Sequence, residues 1–529
     1  MPPCDALKCR AMNRNTAQST SAWERLAAWR QAYLGRPAWV VLAFSMVLAL
    51  IWFAMLIPMQ RDISFPEGAL AMRALDAAQG RPVYQDWHNW PHAFAPYGPL
   101  TYYLPGWLLK FSPGAPGIAG AYLVGRLLSY LSIVLMVGGV CWAVFRAGAG
   151  WWWGVPALAL AMRWQAVWEY CTSFRPDAPR TLLTLLAVGC VTGREPTRRR
   201  IALALGLLWI SFWLKPTAFG VLLALLLWLW RARGLRLAAL AATAFGGAGL
   251  GLFALLDWHW RGLLKLNMVD SLRNGLDLGY LRNYVGGMTR PVDFLMPLAS
   301  LLALLYAVRC RRDATLQPLL PLLLAVPLSY ANALAQGLKV GADRNYFLEP
   351  LVLAAVFGGW WLARQWRATD GLQDARRTPW REVLLLGCAL PWAVWDTVQQ
   401  AQFFKEQVRV MRPQWQPLAI TQAVASLPGP ILSSNSWLCV APHDTATVID
   451  YFQYRNLVQR GLLDQRPLKE RLARQAFSAV ILTDVNHDRP AALQQWNGLF
   501  GPGFFDALNE TYAERDRIVA FYIWLPRTR

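Results

Sequence analysis

Eleven apolar windows, each long enough or nearly long enough to cross about 30 Å of hydrocarbon, divide the first 400 residues of this chain. They fall at roughly 38–58, 118–145, 151–168, 177–193, 199–214, 216–232, 235–256, 292–309, 315–334, 346–364 and 381–399. Lipid offers the backbone no hydrogen-bond partners, so such windows must fold as helices that satisfy themselves internally. The composition agrees: 16% of residues are charged, where soluble domains carry about 25%. The expected architecture is a polytopic all-α membrane bundle of about eleven helices. The windows that meet at Lys215 and Pro216 are compatible with two helices or with one broken helix.

The formal charge of +21 would suit a nucleic-acid binder if it formed one face, but the basic residues sit in short links between apolar windows. Alternate links carry them: the amino terminus, Arg146, the run Arg194, Arg198, Arg199 and Arg200, then Arg231, Arg233 and Arg236, then Arg309, Arg311 and Arg312, and finally Arg364 to Arg381. The positive-inside rule assigns these to the cytoplasm. The opposite face receives residues 59–117, Trp168 to Asp177, Asp257 to Pro291, the 335–345 link and everything after Thr397. Residues 1–37 read as a cytoplasmic segment, since the following window is too long for a signal peptide and lacks a small-residue cleavage site. Residues 38–400 form the bundle, and 401–529, with short apolar runs alternating with polar helical patterns, read as a small α/β domain on the outer side. Within the first outer loop, Pro66 to Ala78 suits a short helix along the membrane surface. The eight cysteines are scattered without metal-ligand spacing.

That first loop holds the chemistry. Asp62 directly follows the first window and is suited to general-base work, or to a simple helix-end pair with Arg61. Glu67 and Asp86 are candidates to orient a bound acceptor, and Tyr84 and Trp87 to stack on it. His88 and His92 have a metal-pair spacing, but Pro91 denies them a helix. The next outer link adds Glu169, Tyr170, Arg175 and Asp177; ionisable groups there need a cavity or one another, so an Arg175 salt bridge to Asp177 or Glu169 is the plainer reading. Lys215, Lys339 and Arg344 lie on the face that positive-inside bias leaves poor in cations, which suits them to a phosphate.

Taken in order, Asp62, Glu67, the stretch GRPVYQD from Gly80 to Asp86, Tyr97-Gly98-Pro99-Leu100, Glu169, Arg175-Pro176-Asp177, Lys215-Pro216 and KVGADRNYFLE from Lys339 to Glu349 resemble a known class. It is the GT-C-type membrane glycosyltransferases that use polyprenyl-phosphate sugars, including the protein mannosyltransferases and the bacterial aminoarabinose transferase. The resemblance implies a bacterial inner-membrane enzyme that moves a sugar from a lipid-phosphate donor to a glycan, lipid or protein acceptor at the periplasmic face, by inverting single displacement. It further implies Asp62 as catalytic base, with Glu67 and Asp86 as its companions in the catalytic loop. Tyr84, Trp87, Tyr97, Glu169, Arg175, Asp177, Lys215, Lys339, Arg344, Asn345 and Tyr346 are then substrate-binding positions, the cations meeting the phosphate. The commonest pattern has two adjacent acids after the first helix, whereas Ile63 follows Asp62 here. One isolated carboxylate favours chemistry without a metal and leaves a divalent cation open. Two other classes compete: a multispan transporter, which calls for paired halves not evident in this chain, and a non-catalytic envelope assembly protein, which calls for dispersed, ion-paired carboxylates.

Overall fold

The apolar windows fold as helices whose lengths are set by the polar and proline breaks between them. The structure, a computed structural model, describes residues 35–58, 62–64, 66–111, 117–162, 164–193, 196–286, 294–310, 312–370, 417–427, 429–435, 438, 450–483, 496–518 and 521–528. The helices are α1 (Gly35–Leu56), α2 (Glu67–Ala78), α3 (Leu100–Leu109), α4 (Ile118–Arg146), α5 (Gly154–Ala161), α6 (Gln165–Thr172) and α7 (Asp177–Val191). They continue with α8 (Arg198–Leu214), α9 (Phe219–Arg233), α10 (Leu235–His259), α11 (Leu278–Gly286), α12 (Leu295–Arg309), α13 (Leu320–Gly337) and α14 (Leu348–Asp370).

The expected count of eleven spans needs correction. Among the described residues four segments are long and apolar enough to cross a membrane: Ile118–Arg146, Leu235–His259, Ala314–Gly337 and Arg344–Gln365. Met46–Leu56 and Leu295–Arg309 are shorter apolar helices. The window at 151–168 splits because Trp164 is extended (ψ 129°), leaving α5 and α6 with 8 residues each. Lys215 is likewise extended (φ −153°, ψ 117°), as a residue before proline prefers, so α8 and α9 are two helices of 17 and 15 residues rather than one broken helix. The 381–399 window and the segment 1–34 lie outside the described residues.

The links separate to two ends of the bundle. At one end Arg146 donates to the Thr192 carbonyl (2.9 Å), Arg233 to Pro196 (3.3 Å), and Arg364 faces Asp313 (3.9 Å). The other end gathers the 62–111 loop and the links around Arg175, Lys215 and Asn345. There α2 is not a surface helix: eleven of its twelve residues are buried, and its Arg73–Asp76 pair (3.1 Å) is buried with them.

The carboxy-terminal segment contains α15 (Pro417–Ala425), α16 (Tyr451–Gln459), α17 (Arg466–Ala473) and α18 (Phe504–Thr511), with β1 (Ile431–Ser433), β2 (Ala479–Thr483), β3 (Tyr512–Ile518) and β4 (Phe521–Pro526). The strands form one sheet in the order β1-β2-β4-β3, parallel between β1 and β2 and antiparallel elsewhere. Its faces are not self-contained. Leu70 and Leu75 of α2 share an apolar cluster with Ile420, Ile431 and Ile481, and Trp87 and Phe94 share another with Tyr454, Leu468 and Trp524.

Gly98 fixes the first loop to the bundle. Its N–H donates to the Leu214 carbonyl (3.1 Å), Thr101 Oγ1 donates to the same oxygen (2.8 Å), and an added Cβ at Gly98 would lie 2.0 Å from the Trp213 carbonyl oxygen. Backbone meets backbone there, so neither side can yield. Gly98→Ala should therefore cost about 3 kcal/mol or more and lower the unfolding midpoint of the detergent-solubilised protein. Gly206→Ala, at a position with open space, should leave the midpoint unchanged; equal midpoints for both variants would refute this account of the loop.

Candidate active site

At the loop-bearing end a buried ion pair sets the frame. Arg126, one arginine within the 29-residue apolar helix α4, donates to Glu67 through Nε (2.6 Å) and Nη2 (2.9 Å), both side chains being fully buried. Glu67 also accepts from the backbone N–H of Ile63 (2.8 Å) and of Phe174 (2.6 Å). Arg126 Nη1 reaches the carbonyls of Leu56 and Ile57 at the end of α1 (3.4 and 3.3 Å). Four acceptor bonds on one carboxylate compensate its removal from water, and they tie α1, the start of the loop, α4 and the α6–α7 link into one unit.

Asp62 stands beside that pair, half-buried, its Oδ1 accepting from the Tyr122 phenol (2.5 Å). Tyr122 lies one turn before Arg126 on the same face of α4, and the guanidinium packs over its ring (5.0 Å to the centroid). Ser64, two residues on, accepts from Arg175 Nη1 (2.9 Å). Arg175 Nη2 donates to the Tyr97 hydroxyl (3.3 Å), the guanidinium lies over the Tyr170 ring (4.7 Å), and Nε is 3.4 Å from Asp177 Oδ2. Asp177 Oδ1 accepts from Lys215 Nζ (2.7 Å) and Asn345 Nδ2 (3.1 Å). The Lys215 ammonium also faces the rings of Tyr346 (4.7 Å) and Tyr97 (5.4 Å). Proline ending α8 and the close contact at Gly98 together bring Lys215 and Tyr97 to this point.

Glu169 joins the same group: its carboxyl bonds the Ser64 hydroxyl and feels Asp343, Arg175 and Arg344. Behind it, Arg180 and Glu349 form a separate buried pair at 2.8 Å. Lys339 lies on the link after α13, which pairs with the 274–277 segment through the Leu276–Lys339 bridge; burial pushes its amine down to about 8. The other loop candidates serve different contacts. Asp86 is exposed and accepts from His88 and Asn89 in its own turn (2.7 and 2.9 Å). Tyr84 donates to the Tyr97 carbonyl (2.9 Å), and Trp87 to Leu266 (3.0 Å). His92 is buried against Tyr454 with its Nδ1 on the Trp87 carbonyl (2.9 Å), while His88 is exposed. Among the described residues no three His, Cys, Asp or Glu side chains gather as a metal site.

Sequence reasoning missed Tyr122, Arg126, Ser64 and Asp450. An arginine within an apolar span is a signal that would have found Arg126, and a tyrosine four residues earlier would have followed. Asp450, buried at the start of α16, carried no such signal.

Fold and site together describe a polytopic helical membrane protein, with a β-containing carboxy-terminal unit and a cluster of ionisable groups at one end of its bundle. Its likenesses are structural. No family model matches the sequence, and no curated protein matches it. The apo structure of ArnT from Cupriavidus metallidurans aligns with a TM-score of 0.53 at 16% identity, over 93% of this chain and 98% of that one. The structure of the same protein bound to undecaprenyl phosphate aligns at 0.53 and 12%, over 92% and 97%. The Archaeoglobus fulgidus oligosaccharyltransferase tethered to an acceptor peptide aligns at 0.46 and 12% identity, over 95% of this chain and 75% of that one. The ArnT likeness shows that the two proteins share a fold.

Breaking the central pair from one side should be severe. Glu67→Gln or Arg126→Met leaves an uncompensated buried charge and should lower stability by about 3–5 kcal/mol, and the double variant should lose less than the two single losses combined. Unfolding of the four proteins in detergent tests this; single variants within 1 kcal/mol of wild type would refute the framing role.

Proposed function

We propose that this site transfers a sugar from a polyprenyl-phosphate donor to a hydroxyl of a glycan, lipid or protein acceptor, at the periplasmic face of a bacterial inner membrane. The observation that carries this reading is the cluster itself: Arg175 and Lys215 share the single carboxylate Asp177, and Ser64 links Arg175 to the chain segment that bears Asp62. Two cations thus converge on one buried acid, and one of them bonds a residue two positions from a carboxylate able to act as base. Support also comes from the fold of ArnT, whose bound ligand is undecaprenyl phosphate.

In this scheme Asp62 takes the proton of the acceptor hydroxyl as its oxygen attacks the anomeric carbon. The bond from that carbon to the phosphate oxygen breaks, its electron pair leaves with the polyprenyl phosphate, and the anomeric configuration inverts. Arg175 and Lys215 stabilise the charge that develops on the departing phosphate, with Arg344 and Lys339 as further cations on the α13–α14 link. Tyr97 and Tyr346 face the Lys215 ammonium, Asn345 donates to the Asp177 carboxylate that holds it, and Glu169 lines the cluster beside Arg175. Glu67 acts through position, since its bond to the Ile63 N–H fixes the backbone next to Asp62. Asp86, engaged in its own turn, has no part in the transfer, and Tyr84 and Trp87 support the loop.

Purified protein supplied with radiolabelled undecaprenyl-phosphate sugars and a membrane lipid and glycan extract should form labelled product. Asp62→Asn should lower turnover at least about 100-fold, and Lys215→Met should weaken donor saturation. Wild-type protein that transfers none of the sugars offered would refute the reading; transfer undiminished in Asp62→Asn would remove Asp62 from the role of base.

A further inference from the structure

Glu67 fixes the backbone beside Asp62 by accepting the Ile63 N–H (2.8 Å), but a fixed backbone does not fix a carboxyl, because the aspartate side chain still turns about its own torsions. The side chain is settled from α4. Tyr122, 4% exposed, donates its phenol proton to Asp62 Oδ1 (2.5 Å). The ring that carries this donor is itself held. The Arg126 guanidinium packs over it, 5.0 Å from the centroid, and Gly125 sits so close to the Phe174 ring that a Cβ there would overlap it, which fixes this turn of α4 against the α6–α7 link. One buried pair therefore anchors both ends of the bond: Glu67 holds the chain that bears the carboxylate, and Arg126 holds the ring that bears the donor.

A hydrogen bond donated to a carboxylate favours its ionised form, whereas burial disfavours it. Asp62 is half-buried, and the phenol offsets that burial through a donor that carries no charge. We propose that Tyr122 is a positioning residue for the sugar transfer: its phenol holds the Asp62 carboxyl in one orientation and in its ionised form, so that it accepts the proton of the acceptor hydroxyl. The inference rests on the reading above, in which Asp62 is the base. Through the step the phenol keeps its own proton, and the acceptor's proton passes to Asp62 as the acceptor oxygen bonds the anomeric carbon and the lipid phosphate leaves.

The test is the pH–rate profile of the full-length purified protein with whichever radiolabelled undecaprenyl-phosphate sugar it uses, the donor being varied so that kcat and KM separate. Tyr122→Phe removes the hydroxyl and keeps the ring beneath Arg126. Without the donor the Asp62 carboxyl holds its proton to higher pH, so the acid limb of kcat should move up by about one pH unit, the plateau should fall about tenfold and the donor KM should stay unchanged. A ring-fluorinated tyrosine at position 122, nearly isosteric and a stronger donor, should move the same limb down. In the Asp62→Asn background Tyr122→Phe should cost less than about twofold, whereas a merely structural tyrosine would lower turnover equally with either residue at position 62. An acid limb that stays in place in both Tyr122 variants, or a Tyr122→Phe loss as large in Asp62→Asn as in wild type, would overturn the positioning role and leave the base standing. Should Tyr122→Phe fail to fold, the direction in which the fluorinated protein moves the limb decides alone. Wild-type protein that transfers no sugar, or transfer undiminished in Asp62→Asn, would overturn the reading beneath it as well.

Discussion

The Glu67–Arg126 pair is the constraint on which the rest of the site depends. A bare charge inside an apolar bundle costs several kcal/mol, so both groups must be matched in number as well as in sign. Glu67 is matched by two guanidinium bonds and two backbone N–H bonds, and Arg126 also reaches two carbonyls at the end of α1. Those bonds leave little freedom: they fix where the chain leaves α1, how it enters α2, and where the α6–α7 link passes. Asp62 and Ser64 lie on the stretch so fixed, and Phe174 directly precedes Arg175. The position of the proposed base and of the first cation therefore follows from a pair that itself does no chemistry.

The contrast between closed and open electrostatics separates scaffold from site. Glu67 with Arg126, and Arg180 with Glu349, are one-to-one pairs buried to within a few per cent of exposure. Around Asp177 the proportion changes, because Lys215 and Arg175 both approach one carboxylate while aromatic faces of Tyr97, Tyr170 and Tyr346 line the cations. Ring faces stabilise a cation without neutralising it. One carboxylate approached by two cations and lined by rings differs from those closed pairs, and it is the part of the structure on which the proposed phosphate site rests.

Much of this was legible in the sequence because local rules dominate there. Lys215-Pro216 marks a helix end for a backbone reason, and the structure has that end. The apolar run Ala479 to Thr483, of the kind expected in a small α/β domain, is β2. Among the described residues, the arginine-bearing links at Arg146 and Arg233 contact the 192–196 link. Other features depend on tertiary contacts that no window reveals. The helix at 67–78 has an amphipathic pattern suited to a membrane surface, yet the carboxy-terminal unit covers its remaining faces. Strand β3 carries Glu514, Arg515, Asp516 and Arg517, which deny it a strand pattern; charges of this kind suit the sheet edge it occupies. The span count was overestimated because hydropathy measures apolar length and is insensitive to one extended residue such as Trp164.

The carboxy-terminal unit shows most clearly where sequence reading stops. Composition marks it as a different kind of chain from the bundle, which suggests an appendage. Packing makes it a neighbour of the candidate site, because apolar residues of the first loop are buried against it. Leu70, Leu75, Trp87 and Phe94 complete their burial against its sheet and helices, and that apolar demand draws α16 down onto the 338–343 link. Once α16 is there, Asp450 caps its first turn by accepting from the Gln453 N–H. A hydrophobic requirement of the loop thus sets where the carboxy-terminal unit docks, and the capped first turn of α16 is carried there with it.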